Sequence, residues 1–347
     1  MSPTESKPGR IIGGGKLAAH PEQFDRWLKG LRQGALVVEV ATTRGCNHDC
    51  MHCGFQQFSR FETEKNYLDD TAFRQFVDDF ADLGGVEIYF AGNGEPLLNP
   101  LLDNWMAYIG SKGLDCTLST NGVLFGSSRH AGILPSARWI RFSVNGGDAE
   151  TYARVHRCSE GDFEILAGNL ARAVEYRNSH GLDCRLVIQS LIYEPNWRSL
   201  EKLVLWHEET GTDMLILRNV AFRHKQDPLP GADMTAALME AEKAPNVQVR
   251  WETYGVNMPR LDWSRCFGIN FRTNMDDRGN LFACFCSDCR YGNIHENRFR
   301  DIWFSERKKQ LFREIESGLH IPECRRWCPA GFDNVYIENH VGSDYGR

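Results

Sequence analysis

Six short apolar runs in the first two-thirds of the chain constrain the fold most. Ala35 to Val40, Val86 to Phe90, Cys116 to Leu118, Trp139 to Val144, Arg185 to Leu191 and Met214 to Leu217 are each rich in β-branched or aromatic residues. Runs of this kind suit strands buried on both faces. Helical patterns lie between them. Phe73, Phe76, Val77 and Phe80 follow the i, i+3, i+4, i+7 spacing and stop at Gly84–Gly85. Leu166, Leu170, Ala173 and Val174 mark a second helix, ended near Gly181, and Leu200, Leu203 and Val204 a third, ended at Gly211. A short helix is expected around Phe24 to Leu31. Strands alternating with helices imply a parallel α/β sheet, open or barrel-like. The alternation stops after about Asn219, and Pro228, Pro230 and Pro259 fall in a less regular stretch.

A chain of 347 residues, 42% hydrophobic, is long enough for a sizeable core. Its net charge of −6, without a long Lys or Arg run, argues against nucleic acid or an anionic membrane as partner. No stretch reaches the roughly 18 apolar residues of a membrane span, and Met1 to Lys16 lacks a signal-peptide core, so a soluble cytoplasmic protein is expected. Twelve cysteines are many for that compartment, and nine of them fall in two clusters, Cys46 to Cys53 and Cys266 to Cys328. Clustered thiols in a reducing environment point to metal or catalysis rather than disulfides.

The first cluster reads Cys46-Asn-His-Asp-Cys50-Met-His-Cys53, directly after the first strand. Loops at that end of α/β folds build active sites. Three thiolates on so short a loop suit one face of an iron–sulfur cubane and leave one iron open. A structural zinc site calls for four closed ligands, usually in CxxC pairs. Zinc and free buried thiols remain the alternatives.

CxxxCxxC after the first strand resembles the radical S-adenosylmethionine (radical SAM) signature, and the resemblance covers roughly Ala35 to Phe332. It implies a [4Fe–4S] cluster on Cys46, Cys50 and Cys53 whose open iron chelates SAM. Gly92-Asn93-Gly94-Glu95-Pro96 resembles the family's GGEP-type motif, in which backbone and Glu95 hold the SAM ammonium. A Rossmann phosphate loop lacks its third glycine here, because Leu97 stands in its place. Ser119-Thr120-Asn121-Gly122 resembles the TNG segment, with Ser119 and Asn121 near the cofactor. Ser143 and Asn145 match polar residues near the SAM ribose and methionine, with a plain turn at Asn145–Gly146 as the rival reading; Gln189 is a further candidate. His52 stands where the family usually places an aromatic residue against adenine.

The spacing of Cys266, Gly279 and Cys284 resembles the opening of SPASM and twitch auxiliary-cluster domains, and Cys324 and Cys328 their closing pair. Asn293-Ile294 followed by Asp301-Ile302-Trp303 resembles the hairpin-to-helix step of those domains. Leu319 to Glu323 lacks the further ligands of a full SPASM pattern, so the resemblance implies one auxiliary [4Fe–4S] cluster on Cys266, Cys284, Cys324 and Cys328. Cys286 and Cys289 are then surplus, or one replaces a ligand, and either could donate a hydrogen atom to a substrate radical. A four-thiolate zinc ribbon is the structural alternative. Cys116 and Cys184 read as core thiols and Cys158 as loop packing.

The fold expected from these readings is a partial (β/α)6 TIM-like barrel with a small cysteine-rich domain. Its parts are a leader and short helix (1–34), the barrel (35–225), a bridging segment (226–262), the auxiliary-cluster domain (263–335) and a polar tail (336–347). The resemblance implies reduction by flavodoxin or ferredoxin, SAM cleavage to a 5′-deoxyadenosyl radical, and hydrogen abstraction from a small molecule. Oxidation through the auxiliary cluster is the expected outcome, with a sugar or aminocyclitol of the aminoglycoside type as substrate. The alternatives are an epimerase on the same substrates, a peptide-modifying maturase, and a zinc-binding scaffold without activity.

Overall fold

In the computed structural model, which describes residues 16–53, 68–222, 225–226, 230–254, 265–284, 289–317 and 329–341, all six apolar runs form strands. The elements run α1 (Pro21–Leu28), β1 (Val37–Val40), α2 (Asp70–Asp82), β2 (Glu87–Phe90), α3 (Leu102–Ser111), β3 (Asp115–Thr120), α4 (His130–Ile133), β4 (Ala137–Ser143), α5 (Ala149–His156), α6 (Gly161–Ser179), β5 (Arg185–Leu191), α7 (Leu200–Thr210) and β6 (Met214–Arg218). After them come the ribbon β7 (Ala221–Phe222) and β8 (Lys225–Gln226), then α8 (Ala232–Ala241) and β9 (Val247–Val249). The cysteine-rich part follows with β10 (Arg272–Met275), β11 (Asn280–Phe282), β12 (Arg290–Asn293), α9 (Phe299–Trp303), α10 (Glu306–Glu316) and α11 (Pro329–Val341).

One ten-stranded sheet has the order β12-β11-β10-β1-β2-β3-β4-β5-β6-β9. Strands β1 to β6 pair parallel in sequence order, and β9 and β10 add parallel strands at either side of that run. Parallel neighbours need crossover connections, and the helices between the strands supply them. The sheet is open: β12 and β9 are its edges. One residue set of the strands, including Val38, Val40, Ile88, Phe90, Leu118, Ile140, Ile188 and Leu217, joins helix residues such as Phe73, Trp105 and Leu170 in a single core. Strand geometry turns the intervening residues to the opposite face. There Glu39, Tyr89, Ser119, Arg141, Ser143, Gln189 and Arg218 are half-buried. This polar inner face explains why the strands are less uniformly apolar than a doubly covered sheet.

Two features depart from the sequence expectation. The alternation does not stop near Asn219: α8 and β9 add one more unit, with Leu215 opposite Val247 and Leu217 opposite Val249. A strand of three residues is too short to leave a pattern. The segment assigned to a polar tail from 336 is helical up to Val341, and Ile337 is fully buried with Leu17, Phe24, Val37 and Phe271. One buried side chain per turn suffices to hold a helix that reads as polar. Asp333 on the same helix accepts the Leu17 N–H at 3.2 Å and faces Arg272 at 3.6 Å, tying the segment before α1 to α11 and β10.

The cysteine-rich part is fastened in two further places. Fully buried Asp79 on α2 accepts from Arg298 (Nη2 2.7 Å, Nε 3.0 Å) and from Arg300 Nε (2.5 Å). Arg44, just before the first cysteines, donates to Asp277 in the β10–β11 turn at 3.0 Å. No helix among the described residues is long and apolar enough to cross a membrane.

Candidate active site

The three cysteines lie on the loop after β1, which docks on the C-terminal end of α5. The Asp49 N–H donates to the His156 carbonyl (3.1 Å) and the Met51 N–H to the Val155 carbonyl (2.9 Å). These carbonyls are among the last of the helix and lack helical partners. The loop is thereby pinned at two points while Cys46, Cys50 and Cys53 stay partly accessible. Burial pushes the Cys50 thiol well up, and the neighbouring Cys46, Cys53 and Cys158 push it further. Three thiols that oppose one another's ionisation are stabilised as thiolates by a cationic metal centre. The His48 N–H already points at the Cys46 sulfur, at 3.4 Å. The residues present therefore fit a three-thiolate iron–sulfur cluster.

The Gly92–Pro96 turn after β2 closes against this loop. Gly94 has φ +97°, and a Cβ there would fall 2.4 Å from the Gly45 carbonyl oxygen and 2.7 Å from that of Thr43. Only glycine allows the two backbones to approach so closely. Gly92 has φ +98° beside Ala41. The Glu95 N–H donates to the Gly45 carbonyl at 2.8 Å. The Glu95 carboxylate is buried and accepts from Thr120 Oγ1 (2.6 Å), the Asn121 N–H (2.8 Å) and the Leu97 N–H (3.1 Å). Burial raises its carboxyl above the ordinary range against those three donors. Asn121 in turn donates to Asn47 Oδ1 at 2.7 Å, inside the cysteine loop. The glycine turn, the end of β3 and the cysteine loop thus form one connected unit.

The remaining sequence candidates divide by position. Ser119 hydrogen-bonds Tyr89 across the inner face at 2.6 Å. Ser143 and Gln189 are register partners at the ends of β4 and β5 and are half-buried. Asn145 is buried and heavily used: its side-chain oxygen accepts the Leu191 N–H (2.7 Å), and its amide nitrogen reaches His52 Nε2 (3.2 Å) and His156 Nε2 (3.1 Å). His52 also lies 3.5 Å from the Tyr193 hydroxyl, and loss of hydration lowers its imidazole to about 4. Cys266 is buried, with the Asn334 amide 3.5 Å from its sulfur; burial first, then nearby Cys284 among other groups, moves the thiol up to about 11. Cys289, 5% exposed, sits in the apolar core rather than on an open surface. Cys286, Cys324 and Cys328 lie outside the described residues.

Sequence reasoning missed a buried group beneath the first cysteines. His48 Nδ1 lies 3.2 Å from His156 Nδ1, His48 Nε2 3.2 Å from Asp162, and His156 Nδ1 3.4 Å from the Cys50 sulfur. Burial, with His48 and His52 beside it, holds His156 well below the ordinary imidazole range. The one signal was His48 between two cysteines; His156 is 108 residues away in the chain.

Known proteins match this geometry. The sequence profile of the Radical SAM superfamily matches residues 40–206. The AdoMet-dependent heme synthase of Nitratidesulfovibrio vulgaris is 26% identical over 335 residues, covering 87% of this chain and 87% of that protein. A heme synthase of Methanosarcina barkeri is 24% identical, covering 82% of this chain and 88% of that one. Among solved structures, Streptococcus suis SuiB bound to S-adenosylmethionine shares the fold at TM-score 0.62 and 14% identity, covering 87% of this chain and 72% of that chain. Native anSMEcpe with bound AdoMet does so at TM-score 0.55 and 14% identity, covering 87% of this chain and 95% of that chain. With the cysteine loop and the glycine turn built as described, residues 40–206 of the chain form a radical SAM domain, and members of that superfamily bind a [4Fe–4S] cluster and SAM.

Proposed function

We propose that this enzyme holds its SAM-cleaving cluster on Cys46, Cys50 and Cys53, and that it oxidises a small organic anion bound on the inner face of the sheet. The observation that carries the first half is the pinned three-thiol loop closed by Gly94 and Glu95. When bound at such a cluster, SAM supplies a 5′-deoxyadenosyl radical able to take hydrogen from an unactivated carbon. The proposed role of the Glu95 carboxylate, from its position in the family motif, is to hold the SAM ammonium, with Asn121, Ser143 and Gln189 as further proposed SAM contacts and His52 as the one against adenine. Flavodoxin or ferredoxin is the proposed electron donor.

Arg141 supports the choice of an anion. It stands on the inner face of β4 with its guanidinium carbon 4.6 Å from the Trp139 ring and 5.6 Å from the Tyr89 ring, and its Nε has no hydrogen-bond partner among the described residues. A buried guanidinium N–H on the inner face without a hydrogen-bond partner favours a carboxylate or phosphate. Relatives carry names such as Fe-coproporphyrin III synthase and S-adenosylmethionine-dependent nucleotide dehydratase, whose tetrapyrroles and nucleotides are anionic. The sugar or aminocyclitol substrate finds no such support, and a cationic aminocyclitol would oppose Arg141.

Oxidation is favoured over epimerisation. Cys289, one of the two candidate hydrogen donors, is buried in the core, while Cys266 and Cys284 stand close enough to influence each other's ionisation. A second [4Fe–4S] cluster on Cys266, Cys284, Cys324 and Cys328, within a unit spanning 263–335, is the proposed electron acceptor. Anaerobic assays with SAM and dithionite test this reading. Carboxylated porphyrins or nucleotides should stimulate 5′-deoxyadenosine formation, and neutral or cationic aminocyclitols should not. Stimulation confined to aminocyclitols would contradict it.

A further inference from the structure

We propose that His156 donates its Nδ1–H to the Cys50 sulfur and thereby raises the potential of the SAM-binding cluster, the hydrogen being fixed on that nitrogen by Asn145; the proposal rests on the cluster assignment above. The tautomer follows from the hydrogen bonds. The Asn145 side-chain oxygen accepts the Leu191 N–H at 2.7 Å, so the other terminal atom is the nitrogen. That nitrogen and the Asn145 backbone N–H both reach His156 Nε2, at 3.1 and 3.2 Å. A ring nitrogen facing two donors is the unprotonated one, so the hydrogen of the ring sits on Nδ1.

Among the described residues Nδ1 has two polar neighbours, the Cys50 sulfur at 3.4 Å and His48 Nδ1 at 3.2 Å. His48 turns its Nε2 to the Asp162 carboxylate at 3.2 Å. An ionised carboxylate only accepts, so His48 carries its hydrogen on Nε2 and its Nδ1 is a second acceptor. The His156 N–H is therefore shared between an imidazole nitrogen and a sulfur, and a ligating thiolate, being charged, is the stronger acceptor. The ring is held for this task. It stacks on Tyr152 (4.0 Å between centroids, 18° between planes), and the backbone bonds from Asp49 and Met51 fix the loop to the same helix end. His156 is a positioning residue that acts through Cys50. Hydrogen bonds to cluster sulfurs favour the reduced, more negative state.

The test is an anaerobic, EPR-monitored redox titration of the reconstituted full-length protein, with the relevant cluster signal identified by its change on adding SAM. His156→Phe keeps a ring for Tyr152 but removes the N–H. At the wild-type midpoint its reduced-to-oxidised ratio should fall about tenfold, or about 59 mV for one electron. His156→Asn places an amide donor where Nδ1 was and should restore most of that shift. His48→Phe removes the competing acceptor and should move the midpoint the opposite way, upward. An unchanged midpoint in His156→Phe, or shifts of one sign in both Phe variants, would overturn the proposal. Should His156→Phe fail to load, an unchanged or lowered midpoint in His48→Phe would overturn it. One ring nitrogen each of His48 and His156 and the Cys50 sulfur also lie within 4.8 Å of one another. A stoichiometric non-iron metal in wild type, lost in His156→Asn, would replace the hydrogen bond with a coordination site. If no SAM-responsive signal depends on Cys46, Cys50 and Cys53, the cluster assignment itself fails instead.

Discussion

At Gly94 two loops meet with no room for a side chain. Alanine there would place its Cβ 2.4 Å from the Gly45 oxygen at a φ of +97°. The strained φ alone costs roughly 1–2 kcal/mol, and the clash adds to it. Gly94→Ala should therefore lower stability by at least about 2 kcal/mol in chemical denaturation and abolish SAM binding; an unaltered variant would mean the loops do not close as described. Glu95→Gln is milder. It turns a donor amide toward groups that already donate, at about 1–3 kcal/mol for the mismatch. Calorimetry should show weaker SAM binding at unchanged iron content, and an unaltered SAM dissociation constant would remove Glu95 from the site. Among single residues, the cysteines and glycines were legible in the sequence because each set forms a compact motif on one short loop. His156 was not, since its contacts with His48 and Cys50 exist only once α5 meets the loop after β1.

Elements were legible where periodicity was strong. The six strand runs and the helices over Phe73, Leu166 and Leu200 were all present in the pattern, because each has a single consistent apolar face. The strand β9 and the helix α11 were not, the first being too short and the second having its apolar residues scattered around the helix rather than on one face. Lys308 on α10 shows how far tertiary packing overrides such patterns. Its ammonium lies 3.6 Å from the Trp303 ring centroid and 3.9 Å from that of Phe312, yet burial lowers its amine from 10.5 to about 7. Between that value and 10.5 the folded chain holds this amine neutral while the unfolded chain holds it charged. Stability contributed here therefore falls as pH drops from about 10.5 to about 7 and is flat below. Lys308→Met should raise the melting temperature near neutral pH, with the gain shrinking as pH approaches the lysine's unfolded value. A gain that does not depend on pH would show that the amine is not held neutral.

Across the whole molecule, the cysteine-rich part shares the barrel's own sheet through β10 and is clamped to α2 by the Asp79–Arg298–Arg300 group. Asp79→Asn removes the charge of a fully buried carboxylate that serves two guanidiniums, at about 1–3 kcal/mol. Denaturant unfolding should show that loss, or a separate early transition of the cysteine-rich part; neither effect would mean that the clamp is incidental. Fold class was readable at this scale because alternating strands and helices admit few topologies. The substrate was not, because the inner-face residues Arg141 and Tyr89 come from different strands and converge only when the sheet curls. The most direct measurement concerns the cluster itself. With Cys46, Cys50 and Cys53 all replaced by alanine, reductant-dependent 5′-deoxyadenosine formation should vanish, while iron and sulfide equivalent to about one [4Fe–4S] cluster remain on the second set of cysteines. SAM cleavage surviving in that variant would contradict the account.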